Sequence, residues 1–296
     1  MSDGRVSVIV PHFNDLARLD LCLSALGAQT YGGAVEIVVA DNASPQGEAA
    51  VAEVIAGRAK LVVARDKGAG PARNAGVAAA SGDILAFTDC DCVPEPAWLA
   101  SGLAALDRAD IVGGYVYVYP REAGAVTFVE AFDILFGFDN QFYVARNGYS
   151  VTASLFCRRE VFDLVGGFRV GVSEDMEWCH RALESGYSLG YEAGARVAHP
   201  ARRTWEELLK KWRRLDSEMY GLVPKRATAQ LTWVLRCLAL PLSAVAHTPK
   251  VLTTPLLRGA GQRAKALVTL FRLRFWRFGD CSRLAFEQIG RHRWSP

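Results

Sequence analysis

Residues 83–91 read DILAFTDCD: a short apolar run, Ile84 to Phe87, then Thr88 and two carboxylates, Asp89 and Asp91, separated by one cysteine. A continuous apolar run of this length, bounded by polar residues, is the pattern of a buried strand. Working outward, the pattern recurs. RVSVIV at 5–10 runs into Pro11–Asp15, VEIVVA at 35–40 into Asp41–Ser44, and Leu61–Ala64 into Arg65–Gly70. Between the runs, Leu16, Leu19, Leu23 and Leu26 recur at helical spacing, and 71–80 is an Ala-rich helix pattern. Strands alternating with helices predict βαβ units and an α/β fold with a mostly parallel sheet. Ligands of such sheets sit at the carboxyl ends of the strands. The four polar strand ends are therefore expected to converge on one crevice.

Farther along, 111–119 and 151–157 read as strands, with Gly113 and Gly114 allowing close backbone approach. Residues 174–186 and 204–220 read as helices, the second basic and Trp-containing. The 296 residues are 51% hydrophobic and 22% charged, which excludes a disordered chain. The opening MSDGRVSVIVPHF lacks a basic n-region and a long apolar core, so no signal peptide is expected. Seven cysteines, an odd number without scaffold spacing, fit reduced thiols in a cytosolic protein. The net charge of +3 hides an asymmetry: residues 1–199 hold 15 Lys and Arg against 25 Asp and Glu, whereas 200–296 hold 19 against 6. The expected organisation is a domain over 1–221, with a nucleotide-binding half to about 110 and an acceptor half beyond. A helical, basic extension follows over 222–296.

Several segments carry chemistry. Asp89 and Asp91 offer hard oxygen ligands suited to Mg2+ or Mn2+, which neutralise phosphate charge without proton transfer; an acidic turn is the plainer alternative. Cys90 and Cys92 interleave with them and read as small buried residues facing away from the crevice. Asp41 can accept hydrogen bonds from a base or ribose, or close an Asx turn. Lys67-Gly68-Ala69-Gly70-Pro71-Ala72-Arg73 is a Gly-rich loop opening a helix, where anions are favoured, and Arg73 can reach a base or phosphate. Asp175 is a candidate general base, or with Ser173 a helix cap. His199 near a strand end is a candidate metal ligand or a structural histidine.

In this order the segments resemble glycosyltransferase family 2, with the fold called GT-A. The matching pieces are Val6 to Pro11, Asp41-Asn42-Ala43-Ser44, Ala72 to Gly76, Gly82-Asp83, Phe87 to Asp91, Trp98-Leu99, Gly166-Gly167-Phe168, Glu174-Asp175 and His199, covering roughly residues 5–220. The resemblance implies that Pro11, Phe13, Asn14, Asp41, Lys67, Arg73, Asp89 and Cys90 bind a nucleotide sugar. It implies that Asp91, Asp89 and His199 hold Mn2+ or Mg2+. Asp175 would be the base of an inverting transfer, and Glu174 would orient the acceptor. His12-Phe13-Asn14 stands where the family often has Tyr, and Ala153-Ser154 where it often has Asn. No Gln-x-x-Arg-Trp motif of processive synthases is present, so a single addition is expected, to a glycan or polyprenyl-linked glycan and with a UDP-sugar donor.

Residues 227–249 contain one firm charge, Arg236, and Pro241 in their middle; the longest uncharged stretch, Cys237–Pro249, is 13 residues. That falls short of the roughly 18 to 20 needed to span a bilayer. An in-plane or re-entrant helix is expected, docking with Lys210, Lys211, Arg213 and Arg214 on the anionic inner face of the cell membrane. A cap on the domain or an oligomer contact is the other reading. Nucleic acid is not expected, because the aromatics follow helix faces rather than a stacking platform. A sugar nucleotidyltransferase would need a basic Gly-rich signature near the N-terminus, which His12-Phe13-Asn14-Asp15 does not supply. A non-catalytic binding module is the remaining alternative.

Overall fold

The computed structural model describes residues 4–122, 124–221 and 223–292. The opening residues 1–3 and the closing residues 293–296 of the expected extension lie outside them. In chain order the elements are β1 (Val6–His12), α1 (Leu16–Gly27), β2 (Val35–Asp41), α2 (Glu48–Ile55), β3 (Lys60–Val63), α3 (Ala69–Ala79), β4 (Ile84–Phe87), β5 (Val93–Pro94), α4 (Trp98–Ala105) and β6 (Ile111–Tyr119). Then come α5 (Phe128–Phe136), α6 (Asn140–Phe142), β7 (Leu155–Arg158), α7 (Arg159–Val165), α8 (Glu174–Glu184), β8 (Leu189–Pro200), α9 (Trp205–Gly221), α10 (Ala227–Thr253) and α11 (Gly259–His292).

The strands form one mixed sheet in the order β3-β2-β1-β4-β7-β6-β8-β5. The parallel part is β3-β2-β1-β4, built by the βα repeats read from the sequence. β7 joins β4 antiparallel and β6 joins β7 antiparallel. The strand expected over 151–157 is a short helical turn at Thr152–Ser154 followed by β7. A Cβ at Gly113 would collide with Ser150, and one at Gly114 with Ser154 and the Ala195 carbonyl, so both glycines are required by close packing.

Contacts divide the chain into two compact units, residues 1–117 with 139–199, and residues 118–138 with 200–296. The expected boundary at 221 is the end of α9, which belongs with the second unit. In the first unit, Ile9, Val38, Leu85, Phe87, Leu155, Phe162 and Trp178 pack into one core. Phe168 meets Phe87 edge-on at 5.5 Å between centroids. Each such side chain contributes about 1.5–3 kcal/mol by leaving water.

In the second unit, α5, α9, α10 and α11 bury Phe132, Leu135, Leu208, Val251, Leu270 and Leu273. α5 opens with a reciprocal capping box between Thr127 and Glu130. Asp216 of α9 and Arg277 of α11 form a two-pronged ion pair at 3.0 and 2.5 Å, both fully buried. α10 corrects the length argument made from the sequence. Its 27 residues run unbroken through Pro241 and Pro249, long and apolar enough by length and composition to cross a bilayer. A proline inside a helix removes one hydrogen bond, and the packing of Trp233, Cys237, Leu240 and Ala244 on one face holds the helix across it. On another face Leu231, Leu235, Leu238, Leu242, Val245 and Leu252 are exposed. They follow a four-three spacing that lines them up along one stripe.

Candidate active site

The first unit brings the polar strand ends together as its topology requires. His12 lies opposite Asp41 in the parallel register of β1 and β2. Its Nε2 accepts the Asp15 backbone N–H at 3.2 Å, so in the neutral ring Nδ1 carries the proton and donates to Asp41 Oδ1 at 2.7 Å. The Ser44 hydroxyl donates to Asp41 Oδ1 and its backbone N–H to Oδ2, which is the Asx turn anticipated as an alternative. Burial pushes the Asp41 carboxyl up, but the hydrogen bonds from Ser44 and His12 outweigh it and hold the group below its usual value. Sequence reasoning missed His12 as this partner; the signal was its place at the end of one strand with an acid at the end of the next.

Pro11 is buried within β1, and Phe13, 57% exposed, follows on the loop. Asn14 adopts left-handed backbone (φ 57°), and its N–H donates to the Ser44 hydroxyl at 2.9 Å. Asn42 accepts the Gly68 N–H at 2.9 Å and donates to the Ala64 and Asp66 carbonyls, tying the end of β2 to the loop before α3. Lys67 is exposed on that loop.

α3 carries the centre of the site. Gly70 lets it approach so closely that a Cβ there would lie 3.3 Å from that of Phe168 and 3.6 Å from that of Glu174. Asn74 locks the approach by exchanging two 2.8 Å hydrogen bonds with the Phe168 backbone. Arg73, only 4% exposed, then spans two carboxylates: Nη2 donates to Asp89 at 2.6 Å and Nη1 to Glu174 at 3.1 Å. Burial alone would lower the guanidinium, but Asp89 and Glu174 outweigh it and keep it charged. Its Cζ lies 5.9 Å from the centroid of the Phe168 ring.

Asp175 stands in the first turn of α8, where it accepts the Met176 N–H at 2.9 Å and the Ser173 hydroxyl at 3.2 Å. Burial first, and the charge of Glu174 second, raise its carboxyl above the usual range against the pull of Arg73. A raised carboxylate is a stronger base. The rings of Tyr143 and Tyr149 stack 5.1 Å apart; burial above all, with Asp175 a smaller cause, pushes both phenols up, and neither was read from the sequence.

The remaining candidates gather separately. His199 Nε2 lies 3.5 Å from Asp91 Oδ2, and one ligand atom each of Asp91, Cys92 and His199 fall within 4.8 Å of one another. An oxygen, a sulfur and a nitrogen at this spacing fit a divalent cation. Asp89 is not in this cluster, because Arg73 holds it. Cys92 is fully buried, as expected of it, and its thiol lies 3.8 Å from Asp91 Oδ1. Cys90 is half-buried, and burial pushes its thiol up. Asp89, Glu174 and Asp175 set three carboxylates against the guanidinium of Arg73, a surplus of negative charge.

This geometry accords with known proteins. A family model described as glycosyl transferase family 2 matches residues 7–171. Over 301 residues the chain is 30% identical to glycosyltransferase AglE of Haloferax volcanii, covering 97% of this chain and 94% of that protein. A shorter match, 31% identical over 157 residues, reaches the pre-mycofactocin glycosyltransferase of Mycobacterium tuberculosis, with 47% of this chain and 32% of that protein. Among solved structures, the mannosyltransferase PcManGT from Pyrobaculum calidifontis, in complex with GDP-Man and Mn2+, has a TM-score of 0.52 at 18% identity, covering 95% of this chain and 74% of that one. GalNAc-T7 with UDP, GalNAc and Mn2+ has a TM-score of 0.53 at 18% identity, covering 67% and 44%. The fold is that of the GT-A glycosyltransferases. The chain belongs to glycosyltransferase family 2 and is a sugar-transferring enzyme.

Proposed function

We propose that this glycosyltransferase moves a sugar from a nucleotide-diphosphate donor, a UDP-sugar, to a hydroxyl of a glycan or lipid-linked glycan with inversion at the anomeric carbon. The observation that carries the reading is the bridge of Arg73 between Asp89 and Glu174 beside the raised carboxyl of Asp175. It sets a candidate base next to the strand ends where a nucleotide would lie. Pro11, Phe13, Asn14, Asp41, Lys67, Arg73, Asp89 and Cys90 form the donor side. Asp175 takes the acceptor hydroxyl proton as the oxygen attacks from the face opposite the nucleotide. Glu174, fixed by Arg73, orients the acceptor. Asp91 and His199, with Asp89 beside them, would hold Mn2+ or Mg2+, which would supply positive charge for the diphosphate.

The proposal extends to cell-surface polysaccharide assembly, with the chain peripheral on the inner face of the membrane. The support is the exposed apolar stripe of α10 in a unit with 19 Lys and Arg against 6 Asp and Glu over residues 200–296.

A thermal-shift panel of UDP-, GDP- and dTDP-sugars, each with and without Mn2+, tests the donor claim. Ligand at about 100 times its dissociation constant stabilises the folded state by about 2.7 kcal/mol. A shift with a UDP-sugar that needs Mn2+ is expected. No shift with any nucleotide sugar would sink the reading.

A further inference from the structure

We infer that Cys92 is a third protein ligand in the cation site, so that the site takes thiophilic divalent cations, Zn2+ above all, more tightly than Mn2+ or Mg2+. The inference rests on the proposed placement of a cation at Asp91 and His199 and adds a ligand to it.

Two independent features of the fold put the sulfur there. In the antiparallel pairing of β5 with β8, Val93 stands opposite Ala198 and Pro94 opposite Val197. Cys92 directly precedes Val93 and His199 directly follows Ala198, so this pairing brings the two residues to the same end of the ladder. The second is the turn that enters β5: the Cys92 N–H donates to the Asp89 carbonyl at 3.0 Å. This turn presents Asp91 and Cys92 side by side. Asp91 Oδ2 is then 3.5 Å from His199 Nε2 and Asp91 Oδ1 is 3.8 Å from Cys92 Sγ, and one ligand atom from each of the three residues lies within 4.8 Å of the others. Bonds of about 2.3 Å to sulfur and about 2.0 Å to nitrogen span at most about 4.3 Å, so small side-chain shifts close the set. Three protein ligands leave a fourth tetrahedral position open, as in catalytic zinc sites. Sulfur and imidazole select zinc and cobalt over manganese and magnesium, which prefer oxygen.

The full chain is titrated with Co2+ and followed by near-ultraviolet absorption. A thiolate-to-cobalt charge-transfer band is expected, and Zn2+ should abolish it at lower concentration than Mn2+. In Cys92→Ser and Cys92→Ala the band disappears while Co2+ still binds, by equilibrium dialysis, about 10–100-fold more weakly. In Cys90→Ser the band is unchanged. Co2+ binding to the wild type without the band, or a band that survives both Cys92 variants, overturns the inference alone, and an Mn2+-dependent nucleotide-sugar shift then still stands. If neither Co2+ nor Mn2+ binds, the inference and the metal part of the proposed function fall together.

Discussion

Each of the two units of this chain holds a buried arginine paired with carboxylate. Arg73, in the sheet unit, pairs with Asp89 and Glu174, whose side chains remain 30% and 18% exposed. Arg277, in the helical unit, pairs with Asp216, and neither is more than 4% exposed. Both guanidiniums are satisfied by carboxylate, yet only the first leaves its partners open to a ligand. The same contrast holds for apolar groups. The sheet unit gathers Phe87, Phe162, Phe168 and Trp178 inside, whereas α10 of the helical unit leaves a leucine stripe outside. Charge held open in one unit suits chemistry, and apolar surface held open in the other suits attachment.

The largest effect expected from breaking this contrast is at Asp175. In Asp175→Asn, transfer measured as nucleoside-diphosphate release should fall about 10^2–10^4-fold, with donor binding kept. The raised carboxyl gives a second readout. A folded-state value above the unfolded one means that the charged form is penalised in the fold, so stability from this group is present at low pH and lost as pH rises through the folded value. At neutral pH the Asn variant should therefore melt no lower than wild type. Near-normal turnover would remove Asp175 as the base.

Asp216→Asn comes next. Leaving Arg277 buried without its partner should cost about 3–5 kcal/mol, read from the denaturant midpoint, whereas Asp216→Leu with Arg277→Met should cost far less. Equal losses in the single and double variants would contradict a closed structural pair.

Lys211 should give a smaller, pH-dependent effect. Burial first, and then Arg202, lower its ammonium from 10.5 to about 7 against the pull of Asp133. Between those values the unfolded chain binds more protons than the folded one, so stability should rise with pH from about 7 to about 10.5. Lys211→Met should flatten that slope in denaturant midpoints taken across the range. A slope that persists unchanged would assign it to another group.

The smallest change in the folded protein is expected on the stripe. Leu235→Ser with Leu242→Ser should alter stability by no more than about 0.5 kcal/mol per site. Sedimentation with anionic liposomes should nevertheless weaken. Unchanged, salt-sensitive sedimentation would mean that α10 does not make the contact.

Much of this was legible locally. Apolar runs with polar ends announced β1, β2, β3 and β4 in order, and with them the sheet that gathers Asp41, Arg73 and Asp89, because strand periodicity is a property of neighbouring residues. The Asx turn at Asp41 and the first-turn place of Asp175 are equally local. The start of β8, its pairing with β5 and the antiparallel insertion of β7 were not legible, since pairing partners are chosen by packing over long separations.

The amino-acid order thus determined which groups stand at strand ends, for side-chain period and turn chemistry act over a few residues. Only tertiary structure decided which acid each base meets. Arg73 reaches Asp89 and Glu174, the latter 101 positions away, and the pairing of β5 with β8 brings Cys92 and His199 to one end of the ladder. It also carried α10 through Pro241, because packing on one face outweighs a single missing hydrogen bond.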